Sequence, residues 1–159
     1  MARVLICPKC RTLITDDTRS RKHDGAFFAF LEHCVKTWPA ESKFTPHNKD
    51  HLRAWCLWRC GYIAPPMTWH FSNDRERKTI VPFVAALMQH LVRMGQYTWA
   101  QENDGSIELV QAESINWECV GERKFMRITE DVTAFIKDFT GLDFETWKSM
   151  DRQQRKDVA

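Results

Sequence analysis

An α+β fold, rich in helix with a small antiparallel sheet, is predicted by three observations. Four stretches carry apolar residues at helical spacing, Asp104-Gly105 sits between two strand-like runs as a hairpin signal, and further short β-prone runs precede and separate the helices. The chain has 159 residues, 43% of them hydrophobic, so residues 1–159 are read as one domain whose core needs neither disulfide nor metal to fold.

Residues 1–18 read as an extended N-terminal segment. Val4, Leu5 and Ile6 predict a strand, Cys7-Pro8-Lys9-Cys10 a turn and Leu13-Ile14 a second strand, together a small hairpin. Asp24 is then expected to cap a helix with Phe27, Phe28, Leu31, Cys34, Val35 and Trp38 on its apolar side, stopped by Pro39. Thr45-Pro46 pairs a capping hydroxyl with a proline suited to the first helical position, and Gly61 terminates the helix that follows through Cys60. On it Leu52, Trp55, Cys56 and Arg59 lie near one face.

After Pro65-Pro66, Thr68 to Phe71 reads as a strand and Asn73 to Lys78 as a charged connection. Thr79 is the expected start of a third helix, with Val81, Val84, Leu87, Met88, Leu91 and Val92 inward and Gly95 near its end. Tyr97 to Gln101 and Ser106 to Val110 flank the Asp-Gly turn, and Ile115 and Trp117 are expected to extend the sheet. Phe125, Ile128, Val132, Phe135, Ile136 and Phe139 mark an amphipathic helix ending at Gly141. Residues 143–159 hold a short helix around Phe144 and Trp147, then a basic tail with Arg152, Arg155 and Lys156.

With 23 basic and 21 acidic residues the net charge is +2, which excludes a strongly basic chromatin-type binder and confines any nucleic-acid site to a local patch. The first residues lack the apolar core of a signal peptide and no run reaches the roughly 18 apolar residues of a membrane span, so a cytoplasmic protein without a membrane partner is expected. The richest stretch runs from Arg19 to Tyr62, where cations interleave with rings. Phosphates draw cations without regard to sequence, and exposed rings stack on bases at roughly 1–3 kcal/mol each. Arg19, Arg21, Lys22, Arg53 and Arg59 are therefore the candidate phosphate contacts. Trp58, which falls away from the Leu52, Trp55, Cys56 face, is the candidate stacking ring. Trp38, Trp55, Trp69, Trp117 and Trp147 are assigned to the core.

Cys7-x-x-Cys10 has the form of half a zinc knuckle, and Cys56 with Cys60, or His47 with His51, each pair four apart, are candidates to complete it. Reduced thiols are the alternative and zinc is not required for folding. His47-x-x-x-His51 has the spacing of a metalloprotease helix, but Asn48-Lys49-Asp50 offers no glutamate as general base. Neither a phosphate-binding glycine loop nor a GxSxG turn is present, and the carboxylates are scattered. A non-enzymatic protein is the reading preferred to a metal-dependent nuclease.

The lead-in Arg19-Ser20-Arg21-Lys22-His23 before FFAFLEHCVKTWP, then HLRAWCLWRCGY, resembles a group of short tailed-phage proteins and, more distantly, the NinB (Orf) recombination mediators of lambdoid phages. Glu113-Ser114-Ile115-Asn116-Trp117, followed by Glu122 to Phe125 and a long helix, is similar to that group's segment before its C-terminal helix. The resemblance implies a dimeric accessory protein of phage replication or recombination that binds single-stranded nucleic acid or a nucleoprotein without cutting it. The competing expectation is an inhibitor of a host defence or nuclease complex, binding a host protein through Trp and Arg hot spots.

Overall fold

The computed structural model describes residues 5–6, 13–14, 21–115 and 120–150, with side chains from Gly25 onward. Its described elements are β1 (Leu5–Ile6), β2 (Leu13–Ile14), α1 (Arg21–Lys36), α2 (Lys49–Arg59), β3 (Met67–His70), α3 (Asp74–Arg93), β4 (Thr98–Asn103), β5 (Ser106–Gln111), α4 (Glu122–Thr140) and α5 (Phe144–Ser149). The fold is α+β and rich in helix, as the sequence predicts. The chain divides into two compact units, Met1–Cys56 with Ser114–Ala159, and Leu57–Glu113, the boundary falling inside α2.

In the first unit β1 and β2 pair antiparallel as the expected hairpin, Leu5 opposite Ile14. Helix α1 begins at Arg21 rather than after Asp24, because Arg and Lys are good helix formers and nothing in Arg21 to Asp24 breaks the backbone ladder. It stops at Lys36, and Trp38 stands outside it because the residue before a proline is disfavoured in helical geometry. Phe27, Phe30, Leu31 and Cys34 are buried. Phe27 meets Phe125 of α4 edge-on at 5.7 Å, and Phe30 lies 5.0 Å from Phe144 and 5.3 Å from Trp147 of α5.

Helix α2 starts at Lys49, three residues beyond Pro46. Asn48 is the capping residue: its Oδ1 accepts from the His51 N–H at 2.8 Å, and its carbonyl accepts from the Leu52 N–H at 3.0 Å. Asparagine outcompetes the upstream threonine because its side-chain carbonyl reaches the third helical amide directly. Leu52, Trp55 and Cys56 are buried as expected, while Arg59 is exposed. Trp55 sits among four rings: Phe44 stacked at 4.1 Å, Phe135 at 5.3 Å, Phe139 at 5.5 Å and Trp38 at 5.7 Å. The Trp38 indole N–H donates to the Phe44 carbonyl at 2.8 Å, closing the loop between α1 and α2 over the cluster.

Helix α4 runs through the predicted apolar positions, burying Phe125, Ile128, Val132 and Ile136. It ends at Gly141, whose φ of 78° is open to glycine at little cost and whose N–H donates to the Lys137 carbonyl at 2.7 Å. Asp143 then caps α5, accepting from the Thr146 N–H at 2.9 Å.

The second unit is a three-stranded antiparallel sheet, order β3-β5-β4, with α3 on one face. Asn103 and Ser106 face each other across Asp104-Gly105, where Gly105 has φ 71°, so the predicted two-residue turn sets the register. Val84 of α3 packs on Ile107 and Leu109 of β5, with Trp69, Phe71, Leu87 and Met88 around them. The expected charged connection, Asn73 to Lys78, is instead the cap and first turn of α3. Asn73 accepts from the Glu76 N–H at 2.9 Å and Lys78 pairs with Asp74 at 2.7 Å, so the charges satisfy one another at helical spacing. Ile115 is buried but lies in no strand: sheet pairing ends in a bridge between Ile63 and Ala112, and Trp117 lies outside the described residues.

Truncating Trp55 to alanine deletes the ring that four others contact. Urea unfolding is expected to show a loss of about 3–5 kcal/mol, against about 0.5 kcal/mol or less for Thr79→Ala on the exposed side of α3.

Candidate nucleic-acid interface

The last turn of α2 delivers Trp58 and Arg59, and β4 delivers Trp99. Strand alternation decides where Trp99 points. Ile107 and Leu109 face α3, and Trp99 is in register with Val110, so Trp99 and Val110 lie on the sheet face away from α3. There Trp58 stacks on Trp99, with ring centroids 5.0 Å apart and planes 7° from parallel. Both indoles are half-buried. The exposed Arg59 guanidinium lies 5.9 Å from the Trp58 centroid, within cation–π range. Among the described residues no carboxylate forms an ion pair with Arg59. The next row of the same face carries Thr68, Glu108 and Gln101 side by side.

Of the six residues the sequence nominates for nucleic acid, Trp58 and Arg59 are brought together. Arg53 is engaged within the first unit, its Nη1 3.2 Å from Asp50 Oδ1 and its guanidinium 5.8 Å from the Phe28 centroid. Arg21 and Lys22 form the first turn of α1, their side chains being outside the described residues, as are Arg19 and the tail cations Arg152, Arg155 and Lys156. Of the five tryptophans assigned to the core, Trp55 and Trp147 are buried and Trp38 and Trp69 half-buried. Trp99 is the residue sequence reasoning missed. The signal was there, because the Asp104-Gly105 turn fixes the register and therefore the face.

Cys56 is fully buried in α2 and Cys60 half-buried in the turn after it; both are reduced, and Cys7 and Cys10 lie outside the described residues. Burial pushes the Cys34 thiol up to about 12, which keeps it a neutral, unreactive core group. Among the described residues no three His, Cys, Asp or Glu side chains assemble as a metal-binding group. His47 and His51 stack at 4.9 Å, and the His47 backbone N–H donates to His51 Nδ1 at 3.2 Å. That bond needs an unprotonated Nδ1, and burial together with the neighbouring His47 lowers the His51 pKa below its ordinary 6.5.

Among the described residues no helix is long and apolar enough to cross a membrane. In comparisons with known proteins, the chain matches no protein-family model, no curated protein and no solved structure.

Two predictions follow from the titratable groups. Because His51 binds its proton less readily folded than unfolded, its contribution to stability is complete above pH 6.5 and is lost as the pH falls through its lower folded pKa. NMR titration should place the His51 ring midpoint below 6.5, moving upward in His47→Ala; a midpoint at or above 6.5 contradicts this. Iodoacetamide mapping of the native protein by mass spectrometry should find Cys60 alkylated well before Cys34 and Cys56.

Proposed function

We propose that this protein is a non-enzymatic accessory factor that binds single-stranded nucleic acid, with Trp58 and Trp99 as its stacking platform and Arg59 as a phosphate contact. The observation that carries the reading is the parallel, half-buried indole pair with a cation beside it that no carboxylate among the described residues holds. Two stacked rings hold each other's planes, so less side-chain freedom is lost when a base joins the stack. Glu108 and Gln101, one row away, supply acceptor and amide groups suited to base edges, and a carboxylate there argues against a second phosphate contact. Replication or recombination is the setting that the phage resemblance suggests for such a factor.

A second reading is favoured by a different observation. Phe83, on α3, and Met94, the residue that caps its C-terminal end, are 57% and 67% exposed. Exposed apolar side chains of this size suit docking on another protein, as an inhibitor of a host defence complex would require.

Fluorescence anisotropy with an oligothymidylate at two salt concentrations separates the readings. Binding is expected to weaken with salt, and Trp58→Ala or Trp99→Ala to cost about 1–3 kcal/mol. Arg59→Gln is expected to reduce the log–log salt slope by about 0.7, the share of one phosphate on a single strand. Absence of binding at low salt would overturn the nucleic-acid reading, and co-purification of a host protein lost on Phe83→Glu would favour the second.

A further inference from the structure

Within the first unit, α4 and α5 together with Ala26 of α1 line a half-open cavity of about 390 Å³, of a size that accepts a small organic molecule. Its space exists because of residue choice. Ala26, Thr133 and Ala134 line it together with Phe125 and Phe144, and their small side chains leave space that larger ones would fill. Phe125 is buried, so that wall is fixed by the core behind it, whereas Met126, 44% exposed, adds accessible apolar surface.

The charges around the cavity do not cancel. Lys137 Nζ lies 3.0 Å from Asp143 Oδ1, joining α4 to the cap of α5. Lys148 Nζ lies 3.7 Å from Glu145 Oε2 and 5.7 Å from the Phe144 centroid. Asp143 is held as a carboxylate, its pKa lowered to about 2 by the Thr146 N–H and by Lys137. Both lysines are thus matched. Glu130, exposed on α4 and also lining the cavity, forms no ion pair among the described residues. An apolar chamber with one uncompensated carboxylate selects for an apolar body carrying a positive charge and against an anion.

We propose that this cavity is a binding site for a small arylalkylamine, its ring between Phe125 and Phe144 and its ammonium group towards Glu130. The site is separate from the proposed nucleic-acid interface and does not depend on it.

The test is an amide NMR titration of the full chain with three ligands of like shape: phenethylamine, phenethyl alcohol and phenylacetate. The expected result is saturable shifts clustered at Ala26, Met126, Ala134 and Lys148, with the amine tightest and the carboxylate weakest. Glu130→Gln should weaken the amine about two- to fivefold, the range of one exposed ion pair, and leave the alcohol unchanged. Ala134→Trp, on the exposed side of α4, should abolish binding of all three while the circular dichroism spectrum is retained. No saturable shift at millimolar phenethylamine overturns the site. Equal or tighter binding of phenylacetate, or shifts centred elsewhere, overturns the assignment of its ligand.

Discussion

The packing of Trp55 against Phe44, Trp38, Phe135 and Phe139 is the contact on which the first unit depends. Those rings come from the loop after α1 and from α4, so one indole on α2 ties the loop that precedes it to a helix far along the chain. Aromatic pairs contribute beyond the area they bury, and here one ring makes four of them. The loop is held in place by the indole of Trp38 donating to the carbonyl of Phe44. Burying Trp55 also sets the rotation of α2 about its axis. A helix turned to put Trp55 inward carries Trp58 about 60° further round, off the most buried line.

The same logic separates residues that look alike in sequence. Arg53 and Arg59 are both α2 cations, yet Arg53 is engaged by Asp50 and Phe28 while Arg59 lies over Trp58 and pairs with no carboxylate among the described residues. Trp69 and Trp99 sit on the two outer strands of one sheet, with β5 between them. Alternation sends Trp69 into the core with Val84 and Ile107, and Trp99 to the face that α3 leaves uncovered. What a side chain contributes is decided by the parity of its strand position or its angle on a helix, and only then by its type.

Much of the fold was legible because its signals are local. The two-residue Asp-Gly turn, the apolar spacing of α4 and its stop at Gly141 all read through to the structure. The misplaced starts of α2 and α3 share a cause, competition between two adequate caps. Thr45 lost to Asn48 at the start of α2, and Thr79 lost to Asn73 at the start of α3, because the asparagine side chains accept from the amide three residues on. The run Asp74 to Lys78 looked like a loop by charge and is a helix because its ion pair has helical spacing. The partner of Trp58 was not legible as such. Stacking between α2 and β4 is a tertiary event, and the sequence assigns Trp99 to a face without saying what shares that face.

The most direct test uses the indole N–H signals of the seven tryptophans, followed by NMR as an unlabelled oligothymidylate is added. The account predicts that Trp58 and Trp99 shift together and saturate together, while Trp55 and Trp147, buried in the first unit, hold their positions. A titration in which Trp58 and Trp99 stay fixed, whether or not other indoles move, would contradict it.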